Sequence, residues 1–158
     1  NAFLVNYDDM FVSTYNGYGL WFDISEVPSS GIKSSGVKAI NLKDDFVVSA
    51  SIFHKNKEYV TIFTNNRTAK RVRLEEFEKS SRARRGLLLL REVKTNPYKV
   101  IKTFIVDNHD YFGIKVGNTI SSFKSTEIPI ADRYKTGSTI SKGDIDDVFI
   151  SKSLEDIC

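Results

Sequence analysis

Twelve cations crowd one stretch of this 158-residue chain: Arg67, Lys70, Arg71, Arg73, Lys79, Arg82, Arg84, Arg85, Arg91, Lys94, Lys99 and Lys102, opposed only by Glu75, Glu76, Glu78 and Glu92. The stretch carries +8 in a chain whose formal net charge is +3, so the remaining residues together carry −5. Arginine dominates it, and a guanidinium's planar fork donates two parallel hydrogen bonds to a phosphate. A curved row of such groups follows a polyanion backbone without reading bases. Arg71 and Arg73 alternate with Val72 and Leu74, so a strand here is expected to bury the aliphatics and present both guanidiniums on its outer face. Arg82, Arg84 and Arg85 precede Gly86, Lys33 and Lys38 flank Gly36, and Arg133 and Lys135 precede Gly137. The candidate phosphate-binding set is therefore Lys33, Lys38, Arg67, Lys70, Arg71, Arg73, Arg82, Arg84, Arg85, Arg91, Arg133 and Lys135. A solvated basic face is the plainer alternative; the clustering and the recurrence before each glycine favour a polyanion partner.

Other chemistries find little support. Asp144, Asp146 and Asp147 form a carboxylate cluster, but Asp44 and Asp45 occupy the matching place earlier in the chain, and the glycine and distal glutamate of a calcium loop are lacking. A repeated acidic turn is the expectation, with no metal. His54 and His109 have neither a paired cysteine nor a neighbouring histidine and read as surface residues. Cys158, the single cysteine, excludes an internal disulfide and a zinc site of paired thiolates. Trp21 and the other aromatics fall at strand positions and read as core.

The elements that carry these residues repeat about every fifty positions. Each unit opens on an aromatic-rich strand, at Asp9 to Val12, Glu58 to Thr61 and Asp110 to Gly113. A turn follows at Asn16-Gly17, Asn65-Asn66 and Gly117-Asn118, residue types that reach positive φ at low cost. The return strand carries Phe22, Val72 or Phe123. An acidic-hydrophobic link comes next: Ser25-Glu26-Val27-Pro28, Glu75-Glu76-Phe77 and Thr126-Glu127-Ile128-Pro129. Gly36, Gly86 and Gly137, spaced by 50 and 51 residues, then lead into apolar strands at Val37 to Ile40, Leu87 to Leu90 and Ser138 to Ile140. Each unit ends on a strand at Phe46-Val47-Val48, Val100-Ile101 or Val148-Phe149-Ile150.

Four short strands per unit is a propeller blade. The expected fold is all-β, one repeat domain over 1–158 with blades at approximately 7–53, 57–106 and 109–157. The best helix candidate, Arg73 to Ser80, is short. Propellers close with roughly four to eight blades, so three form an arc, part of a larger ring. The opening at Asn1 within the apolar run Ala2 to Val5 reads as a fragment of a longer polypeptide. No apolar stretch approaches the length of a membrane span and no signal peptide is evident, so a cytoplasmic location is expected.

The run Gly17-Tyr18-Gly19-Leu20-Trp21-Phe22, the run Gly36 to Leu42, Lys70 to Phe77, and Arg82 to Gly86 together resemble consecutive blades of the C-terminal domain found in A subunits of bacterial type IIA topoisomerases. Leu88 through Pro97 is similar to the later blades of the topoisomerase IV branch in Gram-positive bacteria. The resemblance covers essentially the whole chain. It implies a β-pinwheel of about five or six blades completed by strand exchange between neighbours, of which this chain is one half. It also implies a basic rim that binds and bends duplex DNA, steering segments for ATP-dependent decatenation and relaxation. The glutamine, arginine and glycine-rich box of gyrase A subunits is absent, and Arg82 to Gly86 is a partial analogue; this favours topoisomerase IV over a gyrase wrapping domain. The implied partners are double-stranded DNA, the ATPase B subunit, plus the rest of the A subunit, with no cofactor and no membrane. Arg133-Tyr134 superficially fits the family's arginine-tyrosine cleavage pair, but it lies in a repeat loop without the surrounding motif. The chain itself is thus expected to be non-catalytic, with the nucleophile elsewhere in the parent enzyme. A protein-interaction propeller binding an acidic partner is the reading from another class.

Overall fold

The computed structural model describes residues 8–26, 44–54, 57–81, 86–91, 93–95 and 97–151. The first unit folds as β1 (Asp9–Thr14), β2 (Tyr18–Asp23) and β3 (Val47–Phe53). The second contributes β4 (Tyr59–Thr64), β5 (Thr68–Arg73), β6 (Leu87–Leu88) and β7 (Val100–Val106). The third contributes β8 (Tyr111–Val116), β9 (Thr119–Lys124), β10 (Ser138–Thr139) and β11 (Asp147–Ser151). All sheet pairing between these strands is antiparallel. The expected all-β class is met, and the short helix considered over Arg73 to Ser80 is corrected to one 3-10 turn, Leu74–Glu76. Matching 3-10 turns stand at Ile24–Glu26 and Ser125–Glu127. Helix propagation stops there because Leu74 and Phe77 are both drawn into the core and Ser80 N donates to Trp21 O at 2.8 Å, which extends the chain.

Hairpin loops of Tyr15 to Gly17 and Asn65 to Arg67 join β1 to β2 and β4 to β5, and the third loop residue takes positive φ in each: Gly17 at 96° and Arg67 at 66°. The relaxed conformation expected of Asn65-Asn66 thus falls one residue later, on an arginine. Its side chain is held by Asp144 Oδ1 at 2.9 Å and Lys142 O at 3.0 Å, and its carbonyl accepts from Ile140 N at 2.9 Å, which fix a conformation glycine would adopt without help.

The sheet orders are β3-β1-β2-β6, β10-β5-β4-β7 and β11-β8-β9. β6, from the second unit, therefore completes the first blade (Tyr18 opposite Leu88, Gly19 opposite Leu87), and β10, from the third, completes the second (Ser138 opposite Ala69, Thr139 opposite Thr68). This corrects four strands of each unit folding on themselves to three plus one exchanged, as the family resemblance implies. The glycines make the exchange possible. Gly86 and Gly137 sit at φ 92° and 96°; a Cβ on Gly137 would lie 2.8 Å from Ala69 O, and one on Gly86 would strike Gly19 O. Gly36 and the strand expected after it lie outside the described residues.

Two apolar cores lie between consecutive sheets. One joins Phe11 and Phe53 to Val60, Ile62, Val72, Phe77 and Leu89; the other joins Tyr59, Phe63 and Val106 to Phe112, Ile128 and Val148. Each is centred on an edge-to-face aromatic pair, Phe11 with Phe77 and Phe63 with Phe112, both at 5.2 Å. Burying each such ring is worth about 1.5–3 kcal/mol, so every unit depends on its neighbour for its core. The first and second sheets also meet through hydroxyls, Ser13 Oγ 2.7 Å from Thr103 Oγ1 and Thr103 N donating to Ser49 Oγ at 3.0 Å.

Candidate nucleic-acid interface

The twelve expected cations separate into three groups. Lys33, Lys38, Arg82, Arg84 and Arg85 lie outside the described residues. Arg73, at the end of β5, is exposed, as are Arg91 and Lys135; Arg67 is exposed but tied to the third unit as above. Arg133 is half-buried: its guanidinium donates to Leu88 O and Tyr134 Oη, both at 3.1 Å, and stacks 4.8 Å over the Tyr134 ring. A guanidinium has five N–H donors, so donors remain for an external anion.

Lys70 and Arg71 form the third group. The outward placement expected of Arg71 is corrected: it is 6% exposed and Lys70 is 1% exposed. The third unit's link crosses β5 here, with Arg71 N donating to Pro129 O at 3.0 Å and Ala131 N donating to Arg71 O at 2.8 Å. The Arg71 guanidinium, covered by that crossing, donates to Ile128 O at 2.7 Å, Asn108 Oδ1 at 3.2 Å and Thr126 O at 3.4 Å, and lies 4.8 Å over the Tyr59 ring. Burial lowers its pKa, with Tyr59 acting in the opposite direction. Lys70 points into the neighbouring loop, where its ammonium donates to the carbonyls of Asp132 at 3.0 Å, Arg133 at 2.7 Å and Lys135 at 2.6 Å. Both roles are invisible when the run is read as a uniform basic strand. Adjacent strand residues face opposite ways, so Lys70 had to share the side of buried Val72.

The acidic residues act structurally. Asp45 Oδ1 accepts from Asn16 N at 2.9 Å, and Asp146 Oδ2 accepts from Gly117 N at 2.6 Å, so the repeated acidic turn braces the hairpin of its own unit. Asp144 takes Arg67 and Asp147 takes Lys102 at 2.9 Å; the hydrogen bond from Lys102 lowers the Asp147 pKa. Lys79 reaches buried Asp9 at 2.5 Å and Asp23 at 3.5 Å, and its pKa is raised chiefly by the hydrogen bond to Asp9. Among the described residues there is no group of three or more histidine, cysteine, aspartate or glutamate side chains able to hold a metal ion. Among the same residues no helix is long and apolar enough to cross a membrane.

Comparison with known proteins places this arrangement. Residues 8–54 and 58–107 match the family model described as DNA gyrase C-terminal domain, beta-propeller. The chain is 41% identical over 132 residues to the A subunit of DNA topoisomerase 4 from Bacillus subtilis, a match that covers 82% of this chain and 16% of that protein. It is 38% identical over 129 residues to the A subunit of DNA topoisomerase 4 from Streptococcus pneumoniae serotype 4, covering 82% of the chain and 15% of the relative. The chain thus spans less than a fifth of these relatives' length. A crystal structure of the C-terminal domain of DNA topoisomerase IV superposes with a TM-score of 0.85 at 34% identity, over 91% of this chain and 46% of that one. A DNA gyrase A C-terminal domain shares the fold, with a TM-score of 0.71 at 20% identity, over 92% of this chain and 50% of its own. With more than half of its residues matched, and with the exchanged strands that link its units, the chain belongs to the family of DNA gyrase C-terminal domain beta-propellers.

Proposed function

We propose that this chain binds and bends duplex DNA as part of the C-terminal domain of a topoisomerase IV A subunit, guiding segments for ATP-dependent decatenation and relaxation in the bacterial cytoplasm. The observation that carries this reading is the basic middle unit, +8 over 36 residues, with Arg73 and Arg91 exposed on it and Arg133 and Lys135 on the adjoining loop. Similarity to the A subunits of topoisomerase 4 supports the topoisomerase IV assignment. Arg82, Arg84 and Arg85 complete the phosphate-binding set from the segment before Gly86, and Lys33 and Lys38 do so in the first unit. The chain has no catalytic role; the nucleophile, the remaining regions of the parent polypeptide and the ATPase B subunit belong to the whole enzyme.

Binding of this kind releases condensed counterions. If about six cations meet phosphates, log affinity falls against log salt with a slope of about −5. Bending a short duplex costs about 1–6 kcal/mol, which the phosphate contacts offset. The test is binding of a fluorescent duplex over a salt series, comparing wild type with Arg73→Ala and with Arg82→Ala/Arg84→Ala/Arg85→Ala. A steep salt dependence that flattens in both variants is expected. Absence of binding at low salt, or binding to an acidic protein with modest salt dependence, overturns the reading.

A further inference from the structure

Three carbonyl oxygens converging on one point repel one another unless a hydrogen-bond donor or a cation stands between them. Those of Asp132, Arg133 and Lys135 meet on the ammonium of Lys70, which has three N–H donors and spends all of them there. The next carbonyl, of Thr136, accepts from Thr68 Oγ1 at 2.7 Å, and Arg133 N donates to Glu76 Oε1 at 3.2 Å. The loop before Gly137 is thus pinned by its backbone to β5 and the second unit's link, while Tyr134 and Lys135 are exposed to solvent.

We propose that Lys70 is a positioning residue whose ammonium gathers these carbonyls and so sets the 132–135 loop for joint phosphate contact by Arg133 and Lys135, an inference that rests on the DNA-binding reading above. Lys70 itself, buried and saturated, does not touch DNA. The device is particular to this joint, since the matching position in the first unit is Leu20. The charged groups facing the ammonium are Asp132 and Glu76, which favour its charge, and Arg133, which opposes it. Burial outweighs the first two and lowers its pKa from 10.5 to about 8. The clamp therefore weakens as pH rises through that value.

The experiment is a double-mutant cycle in DNA affinity between Lys70→Met and Arg133→Ala/Lys135→Ala, with amide hydrogen exchange of residues 131–137 in the free protein. Lys70→Met is expected to speed exchange in the loop while β4 stays protected. It is expected to weaken binding about tenfold and to flatten the salt slope by up to about 1.8, the value for two phosphate contacts. In the Arg133→Ala/Lys135→Ala background it is expected to cost nothing further. Wild-type affinity is expected to fall between about pH 7 and 9.5 with a midpoint near 8, a step that Lys70→Met removes. If Lys70→Met fails to fold, Lys70→Leu, which copies the first unit, carries the test. An equal loss in both backgrounds with a slope change of about 0.9 would make Lys70 itself a phosphate ligand and overturn the inference. Unchanged loop exchange in Lys70→Met and Lys70→Leu overturns it as well. If wild type fails to bind DNA at low salt, the DNA-binding reading fails and the phosphate role falls with it; accelerated loop exchange in Lys70→Met then separates that failure from failure of the clamp.

Discussion

The two joints between units use one backbone geometry and opposite chemistry. At the first, Ser80 N donates to Trp21 O at 2.8 Å; at the second, Ala131 N donates to Arg71 O at the same 2.8 Å. Leu20 and Trp21 occupy on β2 the positions that Lys70 and Arg71 occupy on β5. In the first joint the cation, Lys79, comes from the link and the buried anion, Asp9, from the strand. In the second the strand supplies both cations and the third unit supplies neutral acceptors. Apolar contact tolerates small displacements, whereas buried guanidinium and ammonium groups are stabilising only while every acceptor stays in place. Both joints are thus held by an apolar core, and the second adds buried cations that hold by direction.

Phe77→Ala should break this comparison most severely, because it empties the apolar core of the first joint. A loss of about 3–5 kcal/mol is expected in urea denaturation, with protection lost first in β1 and β2 by hydrogen exchange. Arg71→Met is expected to cost about 2–3 kcal/mol by leaving the carbonyl oxygens of Ile128 and Thr126 without their charged donor. Its signature is loss of protection in β8 and β11 while β1 is unchanged; uniform loss across all three units would show that the joints are not energetically separate. Titration sharpens the contrast further. The folded pKa of Lys70, about 8, lies below its ordinary 10.5, so between these values the unfolded chain holds a proton that the folded chain lacks, and stability attributable to this group rises with pH. Lys79 has the opposite sign: its pKa is raised, so its contribution is complete below 10.5 and is lost only at higher pH. In denaturation, the stability of wild type relative to Lys70→Met should therefore rise between about pH 7.5 and 9.5, while its stability relative to Lys79→Met stays constant over that range. The smallest effect belongs to Arg67→Ala, which removes an exposed ion pair with Asp144 and should change stability by no more than about 1 kcal/mol.

Much of the scaffold was legible in the chain. Gly86 and Gly137 announce the strands that follow them, because only glycine allows the backbone to approach Gly19 O and Ala69 O at positive φ, while the exchange of those strands was legible only through the family resemblance. The pairing of Phe22 with Met10 and of Val72 with Val60 follows from period-2 alternation around short turns. Arg67 was illegible in its role: nothing local marks an arginine as the positive-φ residue of a hairpin, since its partners Asp144 and Lys142 are 77 and 75 residues away. The exposed interface candidates Arg73, Arg91 and Lys135 were legible as cations, and their exposure was decided by what packs around them.

The Lys70-Arg71-Val72-Arg73 run divides the two kinds of information. Alternation along a strand is a local property of the backbone, and it determined by itself that Lys70 shares a side with Val72 and that Arg71 shares a side with Arg73. Which of the two arginines remains open to a phosphate is set by a link more than fifty residues downstream, which covers Arg71 at Ile128 and leaves Arg73 at the strand end exposed. Burial is a sum over neighbours brought together by folding, and only the tertiary structure supplies that sum.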